Sequence, residues 1–174
     1  MRGIGPSGHV GFIGFQPNYL FGLDDLCQKF VGPETRVLEI GVNHGVSTRL
    51  FSYYANHVTA VDKRLTARME RLEAKSDNIT FIESFSQDYL KTLRKGQFDL
   101  VYLDGHHGYD TVMKELDLVT RKLKRGYVLA GHDMYPSAVP SSQVQMAVST
   151  FFPGIMTGKT ILHRFSDSSW AIEM

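Results

Sequence analysis

Residues 36–62 read RVLEIGVNHGVSTRLFSYYANHVTAVD, and the order of side chains in this stretch decides the kind of fold the chain adopts. Val37, Leu38 and Ile40 form an apolar run broken only by Glu39, the pattern of a strand buried in a parallel sheet. The run ends in Gly41, Val42, Asn43, His44 and Gly45. In such a turn Gly41 permits backbone angles that a side chain would forbid, and Gly45 lets a ligand or the next helix come close. Val46, Leu50, Phe51 and Tyr54 then recur at helical spacing. Amides at the start of that helix have no intrahelical acceptor, so they suit a carboxylate or a phosphate. A second apolar run, from His57 to Val61, delivers Asp62, whose two oxygens match a ribose diol. Together these features describe a nucleoside site.

The G-x-G-x-x-G dinucleotide fingerprint needs glycine where this chain has Asn43 and Val46. A pyrophosphate would meet a less open approach, which disfavours a dinucleotide oxidoreductase. Composition narrows the classes further. A chain of 174 residues, 43% hydrophobic and 21% charged, is expected to form one self-sufficient domain. Its net charge of +1 gives no electrostatic case for a nucleic-acid or membrane partner. Cys27 is the single cysteine, so neither an intrachain disulfide nor a cysteine-rich zinc site can form. No run of eighteen apolar residues occurs, and the expectation is a cytoplasmic protein.

Outward from the opening stretch, residues 1–17 are glycine-rich and aperiodic and read as a loop or lid, with residues 18–174 as the single domain. Asn18 is placed to cap a helix whose apolar face carries Tyr19, Leu23, Leu26, Cys27 and Phe30. Beyond Asp62, Leu65, Met69 and Leu72 mark a short charged helix, and residues 78–84 (NITFIES) alternate as a third strand. Residues 98–105 (FDLVYLDG) form a fourth strand, and Val112, Leu116, Val119 and Leu123 space out the longest helix. A fifth strand spans residues 127–130, and a further helix starts near Ser141 or Ser142. Residues 160–165 and 169–174 suggest a final strand pair around Ser166, Asp167 and Ser168. Strand and helix alternate five times, which argues for a parallel sheet covered on both faces. Ligands then sit beyond the carboxyl ends of the strands, where Gly41, Asp62, Ser84, Asp104 and Asp133 all fall.

The LEIG strand with its glycine turn resembles the first motif of class I S-adenosylmethionine-dependent methyltransferases. The later segment, YLDGHHGYDTVMKELDLVTRKLKRGYVLAGHDM, is similar to the fourth and fifth strands of small-molecule O-methyltransferases in that class. The chain departs from those relatives where Arg125, Gly126 and Tyr127 replace a double-glycine turn. The resemblance implies a Rossmann-like α/β fold, with a mainly parallel seven-stranded sheet and a C-terminal antiparallel strand pair. It implies S-adenosylmethionine as cofactor and a small-molecule acceptor. It also implies Gly41, Asn43 and Gly45 at the methionine end, with Glu39 positioning that end. Asp62 falls on the ribose, Ser84, Phe85 and Ser86 flank the adenine, and Asp104 borders the cofactor. Phe85 has core packing as its rival role.

A hydroxyl acceptor is a poor nucleophile until it is deprotonated or bound to a metal. Carboxylates and imidazoles concentrate in two places: Asp104, His106 and His107 after the fourth strand, and His132 and Asp133 after the fifth. Neighbouring strands would bring them to one cleft. Three readings stay open here. Asp104 and Asp133 with His132 hold a divalent ion, magnesium or manganese; or one of His106, His107 and His132 is a metal-free general base; or Asp104 caps the following helix and the others brace loops. His132 and Asp133 can face one ligand together only if the strand has ended before them. A homo-oligomer that completes the acceptor pocket is a further expectation, and a methyltransferase-like binding module is the non-enzymatic alternative.

Overall fold

The computed structural model describes residues 20–135 and 142–174. The expected loop or lid at residues 1–17, the Asn18 cap and Tyr19 lie outside the described residues. Five units of the chain alternate as the sequence predicts. β1 (Arg36–Ile40) leads to α2 (Val46–Tyr54) and β2 (His57–Asp62), with α1 (Phe21–Phe30) preceding them. α3 (Ala67–Glu73), β3 (Ile79–Glu83), α4 (Ser86–Thr92) and β4 (Leu100–Leu103) follow. The remainder is α5 (Tyr109–Thr120), β5 (Val128–Gly131), α6 (Gln143–Phe151), β6 (Leu162–Arg164) and β7 (Trp170–Glu173).

The seven strands lie in the order β3-β2-β1-β4-β5-β7-β6. β1 to β5 are mutually parallel, whereas β7 runs antiparallel to both β5 and β6. This is the Rossmann-like sheet with an antiparallel C-terminal pair that the resemblance implied. Chain order reverses between β1 and β4, where Ile40 pairs with Leu103 and Leu103 in turn pairs with Gly131. Three strand ends are therefore level at the switch point, the place where such sheets bind ligands.

Strand alternation sends side chains to two cores. Val37, Leu100, Tyr102, Val128 and Ala130 face one side, packed with Leu23, Leu26, Leu50, Phe51 and Met69 of α1 to α3. Leu38, Ile40, Val101, Leu103 and Leu129 face the other, against α4, α5 and α6 through Leu90, Leu116 and Val148. Phe51 and Tyr102 meet edge to face at 5.2 Å between ring centroids, a favoured aromatic geometry. Cys27 is a buried free thiol within the first core, as its place on an apolar helix face suggests.

Element ends move by one or two residues from the sequence expectation, each for a local reason. α1 takes Leu20 as its N-cap position, without a side-chain cap of its own. α6 begins after Ser142, whose hydroxyl accepts the Gln145 amide at 3.0 Å. β4 is shorter than residues 98–105; just before it, Asp99 is tied by its carboxylate to the Arg36 amide and guanidinium, each at 2.9 Å for Oδ2. At the other end, the chain leaves the ladder at Asp104 to turn toward α5.

Candidate active site

The glycine turn after β1 is shaped by close approach. Gly41 has φ of 88°, and a Cβ there would lie 2.1 Å from the Asp104 carbonyl oxygen. Glycine is thus required by the neighbouring strand end as well as by its own backbone angle. Gly45 sits at the N-cap of α2 with φ of 72°, and a Cβ would crowd Leu72 Cδ2 at 3.1 Å. Its smallness admits the wall of the domain; Gly45 lines neither cavity described below.

The turn amides are less open than the sequence suggested. Asp62 Oδ2 accepts from Val42 N at 2.9 Å and Asn43 N at 3.2 Å, while Oδ1 accepts from Arg64 N at 3.2 Å. Asp62 therefore holds the turn in shape and keeps acceptor capacity on Oδ1, since a carboxylate offers about four lone-pair sites. Glu39, on the α2 face of β1, is fully buried. The hydroxyls of Ser47 and Thr48 donate to its two oxygens. Burial pushes its carboxyl up to about 8 against those two bonds, with Asp104 and Asp62 adding repulsion. Glu39 lies beneath the turn, tying β1 to the first turn of α2, and is in neither cavity wall.

Two cavities flank the turn and share Gly41, Val42, Asn43, Asp104 and Gly105. One, of 700 Å³, carries Asp62, Ser84, Phe85, Ser86 and His106. Phe85 is 68% exposed at its rim, which removes the core-packing role and leaves a free aromatic face beside the cavity. The other, of 740 Å³, carries His107, His132 and Asp167 on its polar side and Leu20, Leu23 and Tyr102 among its apolar residues. Asp167 and Leu20 carry no motif, and nothing in the local spacing marked them, Tyr102 or Leu23 as cavity residues.

Acids and imidazoles meet at the junction. β5 ends at Gly131, and Asp133 adopts φ of 63°, so the alternation that would have set His132 and Asp133 on opposite faces is already broken. His107 Nε2 lies 3.0 Å from Asp133 Oδ2 and 3.7 Å from Asp104 Oδ1. His132 Nδ1 lies 3.4 Å from Asp133 Oδ1 and 3.9 Å from Asp104 Oδ1, while its Nε2 donates to the Asp167 carbonyl at 2.7 Å. Tyr135 donates to Asp133 Oδ1 at 3.1 Å. His106 is turned away, its Nδ1 accepting the Gly108 amide at 3.0 Å. The cap of α5 is Gly108, without a side-chain cap bond, so Asp104 is not used as a helix cap.

Electrostatics follow from this packing. Burial raises the Asp104 carboxyl despite its two imidazole neighbours. The carboxylates of Asp104 and Asp133, 3.7 and 3.0 Å from its Nε2, raise His107. Burial opposes charge on His132, but Asp133 and Asp104 outweigh it and lift the imidazole to about 9. His132 holds Asp133 below the usual carboxylate range. Two acids thus face two imidazoles, and of these His132, lifted to about 9, is protonated at neutral pH.

The same cluster fits a divalent cation. Asp104, His107 and Asp133 each offer one ligand atom, all within 4.8 Å of one another. Asp133 Oδ2 is buried and, among the described residues, has no aligned hydrogen bond even though His107 is near. His107 is the imidazole of that set; His132, the expected ligand, bonds the Asp167 carbonyl through Nε2 and keeps Nδ1 within 3.9 Å of both acids. A donor set of two carboxylates and one imidazole suits manganese better than magnesium, which prefers oxygen alone.

Comparison with known proteins agrees with this architecture. A family model described as a methyltransferase domain matches residues 38–134, more than half of the chain. No curated protein matches it in sequence. Among solved structures, a protein from Streptococcus mutans assigned as a methyltransferase, in complex with SAH, is 18% identical with a TM-score of 0.62, covering 86% of this chain and 93% of that one. A Staphylococcus aureus protein assigned as a caffeoyl-CoA O-methyltransferase is 16% identical with a TM-score of 0.61, over 87% and 82% of the two chains. The tRNA (m1A58) methyltransferase of Aquifex aeolicus is 16% identical with a TM-score of 0.63, over 94% and 71%. At these identities the structures speak to the fold, and the fold is common to all three. Among the described residues no helix is long and apolar enough to cross a membrane. The matched family model, together with the sheet order and the glycine turn, establishes that this chain belongs to the class I S-adenosylmethionine-dependent methyltransferases.

Proposed function

We propose that the protein transfers the methyl group of S-adenosylmethionine to a hydroxyl oxygen of a small-molecule acceptor. The observation that carries this reading is the junction of the two cavities at Gly41 and Asp104, beside the cluster of Asp104, His107 and Asp133. The adenosine half of the cofactor belongs in the 700 Å³ cavity, with Asp62 Oδ1 toward the ribose and Phe85, Ser84 and Ser86 around the adenine. Asn43 and the Gly41 backbone, common to both cavities, line the passage for the methionine end. The acceptor belongs in the 740 Å³ cavity, between the apolar wall of Leu20 and Leu23 and the acid–imidazole cluster.

S-adenosylmethionine supplies an electrophilic methyl carbon on sulfur, so the protein has to align an oxygen with it and manage one proton. His107 and Asp133 are placed to take that proton, and Asp104 to hold His107 in orientation. A divalent ion, manganese or magnesium, held by Asp104, His107 and Asp133 would make a coordinated hydroxyl more acidic. His132, on the wall of the same cavity, faces the two acids through Nδ1. His106, on the adenosine side, is a packing or contact residue there.

The net charge of +1 favours a small molecule over nucleic acid. The likeness to the tRNA methyltransferase makes a nucleic-acid acceptor the second reading. Incubation with S-adenosylmethionine and phenols, sugars or hydroxylated natural products, with and without manganese or magnesium, should form S-adenosylhomocysteine and an O-methylated product. Turnover on tRNA or rRNA alone would replace the acceptor assignment, and absence of turnover on every acceptor despite cofactor binding would favour a binding module.

A further inference from the structure

Asp167 lies in the turn between β6 and β7, far in sequence from both motifs, yet it touches two working parts of the acceptor side. Its Oδ2 accepts the Leu23 amide at 2.7 Å, bracing the first turn of α1. Its Oδ1 accepts the Ser169 amide at 2.9 Å, which closes the turn on itself. Its own carbonyl receives His132 Nε2 at 2.7 Å. α1 can come this close only because residue 22 is glycine: a Cβ on Gly22 would lie 2.2 Å from Asp167 Oδ1. Leu20 and Leu23, which this contact holds in place, line the same 740 Å³ cavity as His132.

The surroundings leave His132 few ways to move. Its amide donates to the Leu103 carbonyl at 3.1 Å, and its carbonyl accepts Trp170 Nε1 at 3.1 Å. Met134 N donates to the Ser168 carbonyl at 3.0 Å, so the chain is pinned on both sides of Asp133. The ring aim is what remains to be set, and the Asp167 carbonyl sets it, turning Nδ1 toward Asp133 and Asp104.

We propose that Asp167 is a positioning residue for methyl transfer, coupling the α1 wall of the acceptor cavity to the orientation of His132 in the acid–imidazole cluster. The proposal rests on the methyl-transfer reading for its role in turnover, while the coupling itself is a property of the structure. Displacing the Asp167 side chain should therefore loosen two things at once, the His132 ring and the packing of Leu20 and Leu23. The adenosine-side cavity contains none of these residues and should be unaffected.

The test is nuclear magnetic resonance of the full chain, free and with S-adenosylhomocysteine, following the imidazole Nε2–H of His132. The wild type should show a slowly exchanging Nε2–H. In Asp167→Ala that proton should exchange about tenfold faster or more, because the bond that protects it opens locally. Gly22→Ala is the second variant: it leaves Asp167 in place chemically and favours helix in α1, but its new methyl displaces the carboxylate, so the same loss of His132 protection is expected. Both should bind S-adenosylhomocysteine within about threefold of wild type and, on an acceptor found in the panel of phenols and sugars, lose about tenfold in kcat with KM for the cofactor little changed. A His132 signal that is unprotected in the wild type, or that stays protected in either folded variant, overturns the coupling. A wild type that binds no S-adenosylhomocysteine overturns the methyl-transfer reading instead, and the His132 exchange still decides the coupling.

Discussion

The two cavities that meet at Gly41 are built by different means. The side proposed for adenosine is made of short, local pieces: a glycine turn, an acid at the end of the next strand, and the Ser84–Phe85–Ser86 corner one strand further on. Its shape is held mainly by backbone groups, with the Val42 and Asn43 amides on Asp62. The side proposed for the acceptor is assembled from α1, the ends of β4 and β5, and the turn between β6 and β7, and its character comes from charged side chains. A site of the first kind can be carried by many sequences of one family. A site of the second kind is where such a fold acquires a particular acceptor.

The sharpest way to break this division is Asp133→Ala. It removes the acid nearest His107, and kcat should fall by about 10²–10⁴, the range for losing a positioned acid or base. S-adenosylhomocysteine affinity by calorimetry should stay near that of the wild type. An equal loss of both would mean that the two sides are not separable.

Glu39 tests the shared floor. Its folded carboxyl titrates at about 8, above the ordinary value of 4.5, so the folded state keeps a proton that the unfolded chain releases. Its contribution is therefore intact at low pH, declines as pH rises from near 4.5, and is fully lost above about 8. The slope in that window is on the order of 1.4 kcal/mol per pH unit for one proton. Denaturant titrations across the window should show wild-type stability falling with pH, and Glu39→Gln should flatten that dependence. A wild type without such a slope would show that Glu39 ionises freely.

Asp62→Ala should act on the adenosine side, lowering S-adenosylhomocysteine affinity about 10- to 100-fold. It should also cost about 1–3 kcal/mol in stability, because the Val42 and Asn43 amides lose their acceptor. Phe85→Ala should be the mildest change. An exposed ring contributes little to folding, so thermal stability should hold while cofactor affinity drops by about 1 kcal/mol of stacking.

The contrast also explains what could be read from the sequence. The alternation around Val37 to Ile40, the glycine turn and Asp62 lie within one continuous stretch, and backbone rules decide their structure. Alternation also argued for the parallel sheet, while the antiparallel terminal pair was implied by the family resemblance. The cluster was foreseen in its residues but not in its partners. Both His107 and His132 stand beside both acids, because a left-handed residue at Asp133 and a carbonyl from a distant turn fix the chain end and the His132 ring. Local spacing carries no record of either. Asp167 and Gly22 were silent for the same reason: their meaning arises only when residues 145 positions apart in the chain come to within van der Waals contact.

The central claim is that one ligand spans both sides, with its reactive sulfur at the junction. A crystal structure of the chain with S-adenosylhomocysteine tests it most directly. The account predicts adenosine between Asp62 and Phe85, with the thioether sulfur passing Gly41 to face Asp104, His107 and Asp133. A ligand lying with its sulfur away from that cluster, or no ligand at millimolar concentration, would contradict it.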